Sequence, residues 1–143
     1  VEVGVCHLPA LGETVAAATG LGCTWNGRTA RVSTVRTLGE ATVLCSDERM
    51  LGDRLGERRP ALERASGLLR TWGDCYGYCL VATGRADVMI DPAMNPWDCA
   101  ALMPILRETG GRLTDWTGAE RIDGGDAVGS NGGLHEAVLE LLR

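Results

Sequence analysis

The sequence predicts an α/β fold, with short strands in its first third and strands that alternate with helices in the rest. Four apolar segments of the later part are strand candidates: 41–46, 86–91, 112–116 and 127–130. The segments between them carry helix-capping residues or apolar residues at helical spacing. Alternating strands and helices favour a layered arrangement around one core.

The first third of the chain is predicted to form three short strands. Valines alternate with other residues over positions 1–5, which is the period of a strand. Turn signals follow at Leu8-Pro9, Leu11-Gly12, Gly20 to Gly22 and Asn26-Gly27. The last of these is a strong hairpin signal. Because the sequence begins inside a strand and without a methionine, we expect that residues preceding Val1 are missing.

A two-part helical segment is predicted after the strand at 41–46. Asp47 can cap a helix that is interrupted at Gly56 and restarted by Pro60 in its first turn. The second piece has an apolar face at helical spacing: Leu62, Ala65, Leu68 and Leu69.

Three further helices are predicted. One covers 74–83 and ends at Gly84, and the last is amphipathic, with apolar residues spaced between Leu134 and Leu142. The helix between them should begin at the N-cap Asn95 and end at Gly110-Gly111. Pro104 lies inside that helix and is expected to kink it, because proline cannot donate the bond to Ala100.

The composition favours a small-molecule partner. The 143 residues carry a formal net charge of −5 and a pI near 5.0. A chain without a basic face is a poor candidate for binding nucleic acid or anionic membranes. No apolar run approaches the roughly 20 residues that span a bilayer. We therefore expect a cytoplasmic protein.

The six cysteines are expected to be reduced, buried thiols. They are scattered through apolar stretches: Cys6, Cys23, Cys45, Cys75, Cys79 and Cys99. No signal peptide indicates an oxidising compartment. Cys75 and Cys79 lie one helical turn apart, but no second cysteine or histidine pair nearby completes a zinc site.

Asp98 is the first candidate for chemistry. It is the third residue of the helix that begins with Asn95 and Pro96, so the backbone orients its carboxylate. Such an oxygen suits Mg²⁺, which prefers oxygen ligands in octahedral geometry. The alternative is structural, because an acidic residue in a first helical turn also complements the helix dipole. The spacing alone favours the structural interpretation.

A family resemblance supports the first interpretation. Pro96-Trp97-Asp98-Cys99-Ala100-Ala101 resembles the Trp-Asp-x-Ala-Ala signature of the inositol monophosphatase family, whose aspartate binds a catalytic metal ion. Further matches follow the family's order: Leu11 to Thr14, Trp25 to Arg28, Gly73 to Tyr78, Leu80 to Gly84, Asp91-Pro92, Gly110-Gly111 and Ser130 to Gly132. The resemblance therefore covers essentially the whole chain.

The resemblance implies the C-terminal portion of a layered α-β-α-β sandwich. Residues 1–40 would be the terminal strands of the N-terminal antiparallel-sheet subdomain, and residues 41–143 the C-terminal α/β subdomain. Two upstream family signatures, a glutamate pair and an Asp-Pro-x-Asp-Gly-Thr loop, are absent from the sequence. Because one aspartate cannot hold a cluster of Mg²⁺ ions, we expect this fragment to be inactive by itself.

Three residues are candidates for binding substrate. By the family order, Asp74 and Asp91 lie near the leaving-group end of the pocket, and Arg70 could meet a phosphate. Two carboxylates favour a cationic leaving group, and histidinol phosphate offers an ammonium and an imidazole there. The local sequence also resembles the histidinol-phosphatase branch more than the inositol branch. Structural alternatives are an N-cap for Asp74, a turn for Asp91 and a surface position for Arg70.

The expected activity is Mg²⁺-dependent hydrolysis of histidinol phosphate in histidine biosynthesis, by a full-length homodimer. The alternatives are an inositol or nucleotide phosphatase of the same family, or a non-catalytic module that retains the fold. His7 and His135 are expected to be surface or core residues, because a catalytic histidine needs an orienting partner. Trp97 is expected to be a core anchor beside Asp98.

Overall fold

The computed structural model describes residues 1–143 and contains two sheets. The first is antiparallel, with its strands in sequential order: β1 (Val3–Leu8), β2 (Glu13–Ala18), β3 (Gly22–Trp25) and β4 (Arg28–Thr29). Asn26 and Gly27 form the two-residue turn before β4, and both have positive φ, as a type I′ hairpin requires. The sequence predicted three strands here; the two-residue β4 is the fourth.

The second sheet is mixed and has the order β6-β5-β7-β9-β8. Its strands are β5 (Thr42–Cys45), β6 (Leu68–Thr71), β7 (Val88–Asp91), β8 (Arg112–Thr114) and β9 (Ala127–Ser130). β5 pairs in parallel with both β6 and β7, whereas β9 pairs antiparallel with β7 and β8. Three strands therefore point the same way, and their carboxyl ends share one edge.

Six α-helices accompany the sheets: α1 (Glu48–Leu55), α2 (Arg59–Ala65), α3 (Asp74–Ala82), α4 (Pro96–Ala100), α5 (Leu102–Thr109) and α6 (His135–Leu142). Asp47 caps α1 as predicted, by accepting a hydrogen bond from the Met50 amide at 2.8 Å. None of these helices has both the length and the apolar character that a membrane crossing demands.

The layers follow from the side-chain alternation of the central strands. Leu44 of β5 and Met89 of β7 face a core that they share with α3, α5 and the first sheet. Their neighbours Val43 and Ile90 face the opposite core, against α1, α2 and α6. Because successive residues of a strand point to opposite faces, one sheet separates the two cores. The order of layers is α-β-α-β, which confirms the predicted fold class.

The predicted boundary at residue 40 falls between the two sheets, after Thr29 and before Thr42. The helical layer nevertheless packs against both sheets, since α5 contacts β1, β2 and β3 on one side and β8 on the other. One core therefore joins the two parts. The subdomain assignment remains a prediction.

The prediction for Leu68 and Leu69 was wrong, because they belong to β6 and not to the second helix. α2 ends at Ala65, and the Ser66 amide and hydroxyl both donate to the Leu62 carbonyl. The next residue, Gly67, lies so close to the backbone of another segment that a Cβ would be 2.5 Å from the Gly39 carbonyl oxygen. This long-range contact directs the chain into the sheet.

The helix predicted from Asn95 to Gly110 is divided into α4 and α5 at Ala101. The break lies one turn before Pro104, where the sequence predicted a kink. The junction also rests on β1, since a Cβ on Gly4 would lie 2.1 Å from the Ala101 carbonyl oxygen. A glycine in β1 thus lets the helix that carries Asp98 approach the first sheet.

All six cysteines have free thiols, and five of them are buried as predicted. Cys75 is the exception, because it lies exposed in the first turn of α3.

Candidate active site

The candidate site lies at the carboxyl edge of the parallel strands. β5 is followed directly by Ser46, β6 leads within three residues to Asp74, and β7 ends at Asp91. In open α/β sheets, ligands bind in the crevice outside the carboxyl ends of the strands. The topology therefore brings together side chains that are far apart in sequence.

A cavity of about 330 Å³ opens at this edge. Its lining consists of Ser46, Asp74, Cys75, Asp91, Ala93, Met94, Asp98 and Leu102. Three of the four predicted site residues are among them. Arg70 is not, because its side chain is exposed on the edge strand β6 and donates to the carbonyl of its neighbour Leu69 at 2.8 Å.

Asp98 both caps its helix and faces the cavity. Its Oδ2 accepts hydrogen bonds from the Asn95 amide at 3.0 Å and from the Asn95 side-chain nitrogen at 3.1 Å. These bonds orient the carboxylate and leave Oδ1 without a hydrogen bond inside the chain. The structural and the metal-binding interpretations are therefore compatible, since one oxygen serves the helix and the other remains available.

Asp91 is the buried acid of the site, with an exposure of 2%. Its Oδ2 has no hydrogen-bond partner. Burial raises the pKa of this carboxyl, and the nearby charges of Asp74 and Asp98 raise it further, against the opposing effect of the Ser46 and Tyr78 hydroxyls. A buried carboxylate surrounded by like charges is stabilised by a bound cation.

Asp74 lies at the cavity mouth in an unusual backbone conformation. It is the first residue of α3 and has a φ of +49°, a region that non-glycine residues rarely adopt. The N-cap position belongs to Gly73, and no side chain caps this helix, so the N-cap alternative for Asp74 was wrong. Strained residues of this kind cluster at ligand sites.

The acidic groups fit part of a magnesium site. The Asp98 and Asp91 carboxylates supply hard oxygen donors at an open cavity. No three histidine, cysteine or acidic side chains of the chain, however, are close enough together to hold a metal ion by themselves. By themselves, these residues therefore fit only one side of such a site.

Comparison with known proteins decides the family. The inositol monophosphatase family model matches residues 1–143.

The chain belongs to the inositol monophosphatase family.

Among the relatives of this chain, two that are 40% identical to it carry the name histidinol-phosphatase. The protein of Chlorobaculum parvum is 40% identical over 140 residues, covering 96% of this chain and 54% of the relative. The Mycobacterium tuberculosis protein is 40% identical over 153 residues, covering 99% and 56%. The solved structure of the Thermotoga maritima IMPase superposes with a TM-score of 0.88 at 32% identity, covering 99% and 56%. The chain thus spans about half the length of the relatives it matches.

Two residues that line the cavity were not predicted as site residues. Ser46 was the last residue of the strand predicted at 41–46, and Cys75 directly follows the predicted site residue Asp74. The prediction for Trp97 was wrong, because its side chain is 75% exposed and anchors no core. The loop before α4 is held instead by α1, because Arg54 of that helix donates a hydrogen bond to the Pro92 carbonyl at 2.6 Å.

A larger depression of about 490 Å³ lies away from the carboxylates. The three arginines that line it already have ion-pair or hydrogen-bond partners within the chain. Arg54 pairs with Asp126, Arg58 donates to the Leu142 carbonyl at 2.8 Å, and Arg143 donates to the Trp116 carbonyl at 3.2 Å. These side chains tie α1 and α6 to the sheet, so the carboxylate cavity is the better candidate.

Proposed function

We propose that this chain forms one wall of the active site of a Mg²⁺-dependent phosphate monoesterase that converts histidinol phosphate to histidinol and phosphate. The observation that carries the proposal is the convergence of Asp74, Asp91 and Asp98 on one cavity. Family membership supports the reaction class. The substrate, the metal and the residue roles are proposals.

Asp98 is the proposed metal ligand. The two hydrogen bonds from Asn95 hold its carboxylate before any ion arrives, so little ordering remains to be done on binding. When bound, Mg²⁺ would activate a water molecule and neutralise charge on the phosphoryl oxygens. Asp98 acts as a ligand in this scheme and not as the general base.

Asp91 and Asp74 are the proposed contacts for the leaving group. Histidinol carries an ammonium and an imidazole, and both can donate hydrogen bonds to carboxylates. Asp91 is almost fully buried and lines the cavity, so a cation placed against its carboxylate regains the interaction that burial removed. Inositol offers only hydroxyls, which compensate a buried charge less well. The names of the two relatives at 40% identity support the same substrate.

The main alternative is an inositol phosphatase, which the name of the Thermotoga maritima structure supports. A substrate panel with the complete enzyme separates the two. Higher kcat/KM on histidinol phosphate than on inositol phosphate supports the proposal, and the reverse order contradicts it.

The missing side of the metal site is proposed to come from sequence that precedes the chain in the complete protein. The 143 residues alone are then expected to be inactive. An upstream glutamate pair and Asp-Pro-x-Asp-Gly-Thr loop would support this, whereas their absence from the gene would favour a non-catalytic module. A cytoplasmic location and a homodimer are part of the same proposal.

The metal assignment is tested by Asp98→Asn in the complete enzyme. The amide can still accept the bonds from Asn95, but it has lost the charge that binds Mg²⁺. We expect weaker Mg²⁺ activation and turnover reduced at least about tenfold, measured as phosphate release over a Mg²⁺ titration. Asp53→Asn, in an exposed position on α1, is the matched control. An unchanged titration in Asp98→Asn would rule out the ligand role.

A further inference from the structure

A cluster of bonded side chains connects the first sheet to the start of α3. Glu13, the first residue of β2, pairs with Arg85, whose guanidinium donates from Nη1 at 3.0 Å and from Nη2 at 2.7 Å. The Tyr76 hydroxyl of α3 donates to the same carboxylate at 3.2 Å and accepts from Arg85 at 3.3 Å. The proposed hydrolysis assigns no part to these three residues.

The ion pair gives the Tyr76 hydroxyl a fixed partner. A bidentate bond between guanidinium and carboxylate restricts direction as well as distance. The guanidinium also lies over the Trp25 ring, 4.2 Å from its centroid, and its Nε donates to the Thr83 hydroxyl at 2.8 Å. The side chains of Arg85 and Glu13 are 28% and 14% exposed, so water screens the pair only in part. The hydroxyl is therefore held at a defined point on the first sheet.

The turn that carries Asp74 is attached to the rest of the fold on both sides. No side chain caps α3, and a positive φ such as that of Asp74 persists only where the surroundings hold it. Before this residue, the Trp72 amide donates to the Cys45 carbonyl of β5 at 2.9 Å. After it, Tyr76 bonds to the ion pair. Asp74 thus lies between one attachment to the second sheet and one to the first.

We propose that Tyr76 is a positioning residue for substrate binding, because its bond to the Glu13–Arg85 pair holds Asp74 at the cavity. Asp74 lines the cavity, and Tyr76 lies two residues further along in the same helical turn. Without the bond, the turn is free to relax from the positive φ and to withdraw the Asp74 carboxylate from the leaving group. This inference rests on the proposed function, which gives Asp74 its contact with the substrate.

Tyr76→Phe in the complete enzyme removes the hydroxyl and keeps the ring beside Trp72. We expect KM for histidinol phosphate to rise about threefold to tenfold, the range for one lost hydrogen bond. The kcat and the Mg²⁺ titration should stay the same, because Asn95 and not the cluster orients Asp98. An unchanged KM, or a kcat or Mg²⁺ titration altered as strongly as KM, overturns the proposal.

A double-mutant cycle with Asp74→Asn tests whether Tyr76 acts through Asp74. Asparagine tolerates a positive φ, so this substitution removes the charge and keeps the conformation. If Tyr76 positions Asp74, adding Tyr76→Phe to Asp74→Asn should raise KM no further. Additive effects of the two substitutions on log KM would assign Tyr76 another route and overturn the proposal. Asp53→Asn, in an exposed position on α1, is the control.

Hydrogen exchange distinguishes failure of this inference from failure of the proposed function. In Tyr76→Phe, a peptide covering 72–80 should exchange faster than in the parent enzyme, whereas a peptide covering α6 should not change. Unchanged exchange over 72–80 overturns the inference, whatever the kinetics show. Faster exchange together with an unchanged KM in Asp74→Asn confirms that the bond holds the turn, and it overturns the leaving-group contact proposed for Asp74.

Discussion

Asp91 ends β7 with a carboxylate that is almost fully buried, and one of its oxygens has no hydrogen-bond partner. The backbone of a central strand fixes its position, while the charges of Asp74 and Asp98 approach it across the cavity. A residue in this situation interacts strongly with any cation that enters. Substrate choice is therefore argued most directly from this side chain.

Asp91→Asn in the complete enzyme should reduce the preference for a cationic leaving group. The substitution keeps the shape and removes the charge, so KM for histidinol phosphate should rise about tenfold to a hundredfold, the range for a lost charged hydrogen bond. KM for inositol phosphate should change less. Steady-state kinetics on both substrates measure the ratio, with Asp53→Asn as control. Equal losses on both substrates would argue against a contact with the leaving group.

At the level of single residues, the family resemblance predicted Asp74, Asp91 and Asp98, and for Asp98 a local backbone signal also predicted its orientation. Asp98 follows an N-cap and a proline, so its orientation could be anticipated. Ser46 has no comparable signal, because it reaches the cavity only through its position directly after β5. The prediction for Trp97 was wrong because the size and apolar character of a side chain do not determine which face of a short helix it occupies.

Among the elements, β9 shows how tightly the helical layer packs on the mixed sheet. A Cβ on Gly129 would lie 2.7 Å from the Tyr78 ring of α3 and 2.8 Å from the Leu106 side chain of α5. Both neighbours are fully buried and have no room to withdraw. The absence of a side chain at Gly129 therefore sets the distance between the helices and the sheet.

Gly129→Ala is expected to destabilise the protein by about 1–3 kcal/mol, the usual cost of overpacking a core. Gly52→Ala is the matched control, because Gly52 lies inside α1 with nothing within 4 Å of an added Cβ. It should stabilise by about 0.5–1 kcal/mol, since alanine favours a helix. Urea unfolding followed by circular dichroism measures both. The packing argument fails if Gly129→Ala is as stable as the parent protein.

The elements that could be predicted are those with strong local signals. The Asn26-Gly27 hairpin, the Asp47 cap and the helix ends at Gly84 and Gly110 all depend on a few neighbouring residues. β6 was missed because Leu68 and Leu69 fit helical spacing equally well. Its identity as a strand comes from pairing with β5, which local spacing does not contain.

For the molecule as a whole, His135 links three elements inside the core. The imidazole of this fully buried residue is bonded to the hydroxyls of Thr114 on β8 and Ser130 on β9, each at 2.8 Å. Burial lowers the pKa of His135 from the ordinary 6.5 to about 4, with a smaller effect from Arg112. The histidine is a neutral core residue that lies outside the carboxylate cavity.

This shift predicts how global stability depends on pH. The unfolded chain binds a proton at His135 more readily than the folded chain, so the contribution is complete above pH 6.5 and is lost as the pH falls toward 4. Its size is roughly 3 kcal/mol. In His135→Gln, the free energy of unfolding should be lower at pH 7 and should fall less between these limits. Urea titrations across this range test it, and parallel curves for the two proteins would contradict the assignment.

The family resemblance of the sequence pointed to Asp98 as a metal-ligand candidate, and the sequence by itself determined the fold class and the helix and turn boundaries that rest on capping residues. Those features depend on interactions within a few residues, which the order of amino acids specifies directly. Only the tertiary structure decided that β6 is a strand and that Asp74 and Asp91 meet Asp98 at one cavity. Each of these joins residues distant in sequence, and their separation is set by sheet pairing and core packing, which no local pattern encodes.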